Sequence, residues 1–122
     1  MNQSPIKVLV VEDEPLVLMD TADQLSDRGF VVIEASNADE AIILLSNHPD
    51  IAVVFTDIDM PGTMDGLKLA SAVRDRWPPI KIIVTSGHRR VLKDNLPTGS
   101  RFFDKPFRVD AVASAMWEML QA

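Results

Sequence analysis

The chain of 122 residues contains no cysteine, which excludes thiol nucleophiles, disulfides and thiolate metal sites. Its two histidines, His48 and His88, are too few for a histidine-rich metal centre. No apolar run approaches the roughly 20 residues that a membrane span needs. The polar start, Met1 to Pro5, leads into no apolar segment of the signal-peptide kind. A soluble, cytoplasmic protein is expected. Positive charge is in deficit: 12 Lys and Arg against 18 Asp and Glu give a net −6. Such a chain is a poor ligand for nucleic-acid phosphates. Walker A and G-x-G-x-x-G motifs are both missing, so nucleotide and dinucleotide binding have no support. What is present is ordinary globular material, 47% apolar and 25% charged, in a length suited to one core. A single domain over 1–122 with no output domain is expected.

Short β-branched runs recur at even spacing. Ile6–Val11, Phe30–Ala35, Ile51–Thr56 and Ile80–Thr85 read as strands covered on both faces, and Arg101–Asp104 is a shorter fifth. Helical patterns fall between them. Pro15 suits a first turn and Gly29 a stop. Asn37 and Glu40 resemble a capping pair. Leu67–Trp77 is halted by Pro78-Pro79. Residues 88–96 give a short fourth helical candidate before Pro97. Val109, Val112, Ala113, Met116 and Leu120 form the apolar stripe of a fifth helix. Five β-α repeats predict an α/β fold with a doubly wound parallel sheet flanked by five helices.

The informative polar residues fall at strand ends: Glu12, Asp13 and Glu14 after the first, Asp57 and Asp59 at the third, Thr85 and Ser86 at the fourth, Lys105-Pro106 after the fifth. Parallel α/β sheets bind ligands beyond these carboxyl ends. Separately, each group has a plain structural role: helix-dipole acids, a turn aspartate, a strand threonine, a lysine lying over Phe103 or Phe107. Together they put several carboxylates, a hydroxyl and an ammonium on one edge. Crowded carboxylates repel unless a cation intervenes, and Mg²⁺ takes one or two carboxylates with waters and phosphate oxygens. Mg²⁺, a lysine and a hydroxyl meet the needs of phosphoryl transfer. A carboxylate such as Asp57 can be its nucleophile. The glycines at 62, 66 and 87 suit loops.

The segments VLVVEDEP at 8–15, VVFTDIDMPGTMDG at 53–66, IIVTSG at 82–87 and FFDKPF at 102–107 resemble the receiver domains of two-component response regulators, single-domain chemotaxis regulators included. The resemblance spans nearly the whole chain. It implies a flavodoxin-like five-stranded sheet of order 2-1-3-4-5. It also implies a phosphoacceptor at Asp57, with Mg²⁺ held directly by Asp13, by Glu12 largely through water, by the backbone carbonyl of Asp59, and with Asp57 also at the metal. Thr85 and Lys105 would bind the phosphoryl group. Phe102 would be the switch aromatic that moves when Thr85 shifts, and the Lys105–Pro106 bond would be cis, which proline makes accessible.

The implied partner is a histidine kinase or a histidine phosphotransfer protein that donates from phosphohistidine. The implied output is a change in the surface formed by segment 88–96, the fifth strand and the last helix, a face that could also pair in a homodimer. Autodephosphorylation would end the signal. Three departures stand out. The loop from Met60 to Gly66 carries one extra residue, the interval from Thr85 to Lys105 is short, and Ser86 replaces a frequent alanine with Gly87 after it. Two rival functions are weaker. Asp57-Ile58-Asp59 matches the Asp-x-Asp of haloacid-dehalogenase-like phosphatases, but their motif lies on a first strand and their core and cap need a longer chain. A phosphate-independent pseudo-receiver would not need the full acidic set with Lys105.

Overall fold

The computed structural model describes residues 5–59, 66–87 and 96–121. Five parallel strands, β1 (Lys7–Val11), β2 (Val31–Ala35), β3 (Ile51–Asp57), β4 (Lys81–Ser86) and β5 (Arg101–Asp104), form one sheet of order β2-β1-β3-β4-β5. This is the order the receiver resemblance implies. Four helices lie among the described residues: α1 (Pro15–Asp27), α2 (Ala38–Asn47), α3 (Gly66–Arg76) and α4 (Val109–Gln121). Four replaces the expected five because the short candidate at 88–96 falls almost wholly outside the described residues. So do Met60 to Asp65 of the extended loop.

Strand periodicity divides the core in two. On β1, Leu9 and Val11 face the layer that contains Ala41 and Leu45 of α2 and Leu69 and Val73 of α3. Val8 and Val10 point the other way, toward Leu25 of α1 and Val112 and Met116 of α4. Successive side chains alternate across a pleated strand, so a continuous apolar run serves both layers at once. Leu9, Leu25, Leu69 and Met116 have no measurable exposure. Trp117, at 44% exposure, lies at the rim of the second layer and tilts against Phe30 with 5.6 Å between ring centroids.

Local chemistry sets the helix ends. Pro15 occupies the start of α1, where its missing N–H is not needed. Gly29 adopts φ +93° just after that helix, a conformation that disfavours a side chain. The α2 cap differs in detail from the expected pair. Asn37 Oδ1 accepts from Glu40 N at 2.8 Å, but Glu40 Oε1 reaches back one residue further, to Ser36 N at 2.6 Å. Asn37→Ala is expected to lower stability by about 1 kcal/mol, which chemical denaturation at neutral pH would measure.

Gly66 requires a correction. It is the first residue of α3 and not a loop residue. A Cβ there would overlap the backbone oxygen of Asp57 and lie 2.5 Å from Ile58 Cα. The start of α3 therefore rests directly on the main chain at the end of β3, and only glycine leaves room for it.

Candidate active site

β1, β3 and β4 all end at the same edge, and parallel register brings their polar residues level. Val11 pairs with Thr56, and Asp57 pairs with Thr85. Asp57 is the last residue of β3, one position beyond the expected end of that strand, and is 3% exposed. Glu12, 4% exposed, follows β1 directly, and its N–H donates to Ala35 O of β2 at 3.0 Å. Glu12 does not act as a first-turn acid of α1. Its Oε2 accepts from Glu14 N at 3.1 Å, and Glu14, the N-cap of α1, makes no side-chain cap bond. Glu12, Asp13 and Asp57 each present a carboxylate oxygen within 4.8 Å of the others.

Lys105 does not lie idle over its phenylalanine neighbours. Its ammonium donates to Asp57 Oδ2 at 2.7 Å and to Glu12 Oε1 at 3.3 Å. Its own N–H donates to Ser86 O at 3.0 Å, which fixes the root of the side chain beside β4. The Lys105–Pro106 bond is cis. The second Asp57 oxygen, Oδ1, accepts from Asp59 N at 2.8 Å. Thr85 Oγ1 donates to Phe103 O at 2.8 Å, so this hydroxyl is engaged by β5 and not by Asp57. Phe102, half-buried, packs against the Leu9 side of the core. Asp59 is exposed, and its carboxylate accepts from Ser86 Oγ at 2.6 Å and from Gly87 N at 3.2 Å.

Electrostatics follow from burial and crowding. Burial pushes the Glu12 carboxyl above its ordinary 4.5. The Glu14 N–H opposes this, the Asp57 charge adds to it, and Lys105 opposes it again. For Lys105, burial pulls downward, but the bond to Asp57 and the charges of Asp57 and Glu12 outweigh it and hold the ammonium above 10.5. A folded-state pKa above the unfolded one means that the native protein binds the extra proton. Without metal, stability is therefore expected to fall as pH rises from 4.5 through the raised Glu12 value. Glu12→Gln should flatten that part of the profile, and urea denaturation across pH 4 to 8 would measure it.

A pocket of three carboxylates with one ammonium can take a hard divalent cation. Oxygen donors suit Mg²⁺, and one or two direct carboxylates leave room for water and phosphate oxygens. Excess negative charge beyond what Lys105 neutralises gives the cation a favourable field.

A sequence model described as the response regulator receiver domain matches residues 8–116. The chain belongs to the response regulator receiver family. Within that family it is 36% identical over 118 residues to the sensor kinase CckA of Brucella abortus (strain 2308), covering 93% of this chain and 12% of that protein. It is 31% identical over 116 residues to the transcriptional regulatory protein PdtaR of Mycobacterium tuberculosis (strain H37Rv), covering 92% of this chain and 55% of that one. This receiver thus spans between about an eighth and about half of these relatives. Among solved structures, a response regulator receiver protein from Sinorhizobium medicae WSM419 superposes with a TM-score of 0.90 at 30% identity, covering 98% and 97% of the two chains. The receiver domain of the hybrid histidine kinase CckA gives 0.80 at 30% identity, covering 94% and 99%. No helix among the described residues is long and apolar enough to cross a membrane.

Sequence reasoning missed two features of this edge. The Asp59–Ser86 bond joins residues 27 apart and has no local signature. The Gly66 contact was hidden because a glycine before a helix also fits a loop; its only clue was its position directly ahead of the apolar pattern at Leu67.

Proposed function

We propose that this chain is the phosphoacceptor of a two-component or phosphorelay system, taking a phosphoryl group from phosphohistidine onto Asp57 with Mg²⁺. One observation carries the reading. A buried carboxylate at the end of the central strand lies 2.7 Å from a lysine ammonium and in a cluster with two more carboxylates. The donor would be a histidine kinase or a phosphotransfer protein in the cytoplasm, and the receiver would signal to a protein partner.

Asp13, Asp57, Glu12 and the Asp59 main chain are the residues that would hold the ion, which when bound neutralises phosphoryl oxygens. The chain's own groups do the rest. Asp57 Oδ attacks phosphorus, a new O–P bond forms, and the P–N bond to the donor imidazole breaks. Lys105 Nζ, already on Asp57 Oδ2, meets the phosphoryl oxygens as negative charge accumulates there. Thr85 Oγ1 has a choice between Phe103 O and a phosphoryl oxygen. The charged acceptor makes the stronger bond, so transfer to Asp57 draws Thr85 off β5. Phe103 O then loses its partner next to Phe102. Phosphorylation thereby favours a second arrangement of β5 and its surface, and a switch needs this differential stabilisation. Water attack on the acyl phosphate resets the system.

Incubation with acetyl phosphate is expected to add at most one phosphoryl group per chain, only with Mg²⁺. Sustained multiple-turnover hydrolysis of small phosphate esters would contradict this and favour a phosphatase.

A further inference from the structure

Ser86 has no role in the reaction described above, yet its two polar groups tie the site together. Its hydroxyl, on a residue 2% exposed, donates to Asp59 Oδ2 at 2.6 Å. Gly87 N donates to the same oxygen at 3.2 Å. A short hydrogen bond to an ionised carboxylate, shielded from water on the donor side, is among the stronger kinds. Asp59 passes the constraint on, because its N–H donates to Asp57 Oδ1 at 2.8 Å. The Ser86 carbonyl meanwhile accepts from Lys105 N at 3.0 Å. The end of β4 therefore holds both partners of the acceptor: Lys105 through the main chain, and the Asp57–Asp59 turn through a side chain.

We infer that Ser86 is a positioning residue for the divalent-cation site, its hydroxyl acting through the Asp59 carboxylate to hold the turn that orients Asp57 and presents the Asp59 main chain. Two neutral donors also occupy the Asp59 carboxylate at the rim, while Glu12, Asp13 and Asp57 form the cluster. The inference rests on the Mg²⁺ reading of the preceding section. Groups that orient a ligand from behind typically set metal affinity by about 10- to 100-fold.

The test is Mg²⁺ binding by calorimetry on the unphosphorylated protein, together with amide exchange at Asp59 without metal. Ser86→Ala is expected to weaken Mg²⁺ about tenfold and to speed exchange at Asp59. Asp59→Ala removes the same bond from an exposed position, which keeps the test available if Ser86→Ala does not fold. Asp59→Asn, which retains an acceptor for Ser86 and Gly87, should stay closer to wild type than Asp59→Ala. Adding Ser86→Ala to Asp59→Ala should weaken binding no further, because the Ser86 bond is already gone once the Asp59 carboxylate is removed. Wild-type affinity in Ser86→Ala, or independent losses in the double variant, would overturn the positioning role alone. Failure of the wild-type protein to bind Mg²⁺ would overturn the metal reading and this inference with it.

Discussion

Gly66→Ala is expected to lower stability by about 3 kcal/mol or more, at the upper end of what overpacking does. The added Cβ would overlap Asp57 O and approach Ile58 Cα to 2.5 Å. Both obstacles are main chain, so no side-chain rotation relieves the clash. Either α3 lifts from the sheet, uncovering Leu69, Ala70 and Val73 in the first core layer, or the end of β3 shifts and takes Asp57 with it. In a domain of this size the melting temperature should fall by about 10 °C or more, read by circular dichroism. Phosphoryl acceptance should also fall at temperatures where the variant remains folded, because Asp57 is the residue displaced. Unchanged melting and unchanged acceptance would show that α3 does not rest on β3 as described.

Lys105→Ala is expected to slow phosphoryl transfer from acetyl phosphate by about 10²- to 10³-fold, the usual effect of removing one preorganised charge donor from a developing phosphate. The same change leaves Glu12 and Asp57, at 4% and 3% exposure, without the ammonium that both now share. The metal-free variant should lose about 1–2 kcal/mol at neutral pH, less than a fully buried pair would lose, since the Lys105 side chain keeps 22% of its exposure. Its stability should recover more steeply than that of wild type as pH falls, because protonating Glu12 removes the repulsion. Saturating Mg²⁺ should restore much of the loss at pH 7 without restoring the transfer rate. Urea denaturation and stopped-time phosphorylation separate the two effects.

The two-layer core was legible because a buried parallel strand leaves a continuous apolar run and an amphipathic helix leaves a 3.6-residue stripe. β1 and the last helix, from Val109, came out on that basis. The edge of the sheet was legible because Glu12, Asp13, Asp57 and Lys105 are all strand-end residues, and topology alone gathers them. Details that depend on rotamers and long-range contacts were not. The Thr85 hydroxyl engages Phe103 O, the Ser86 hydroxyl engages Asp59, and the Glu40 carboxylate accepts from Ser36 N instead of Asn37 N. Each choice is made between partners of similar chemistry by distances that only the packed fold defines. Gly66 shows the same limit in the main chain: a missing Cβ fits a flexible loop or a close approach equally well until the neighbouring strand is in place.

Whether Asp57 carries the phosphoryl group is read by intact-protein mass spectrometry with peptide mapping after acetyl phosphate treatment. The expected result is one phosphoryl increment that requires Mg²⁺, maps to the peptide containing Asp57 and is lost in Asp57→Asn. An increment that persists at wild-type level in Asp57→Asn, or that maps to another residue in the wild-type chain, would contradict it.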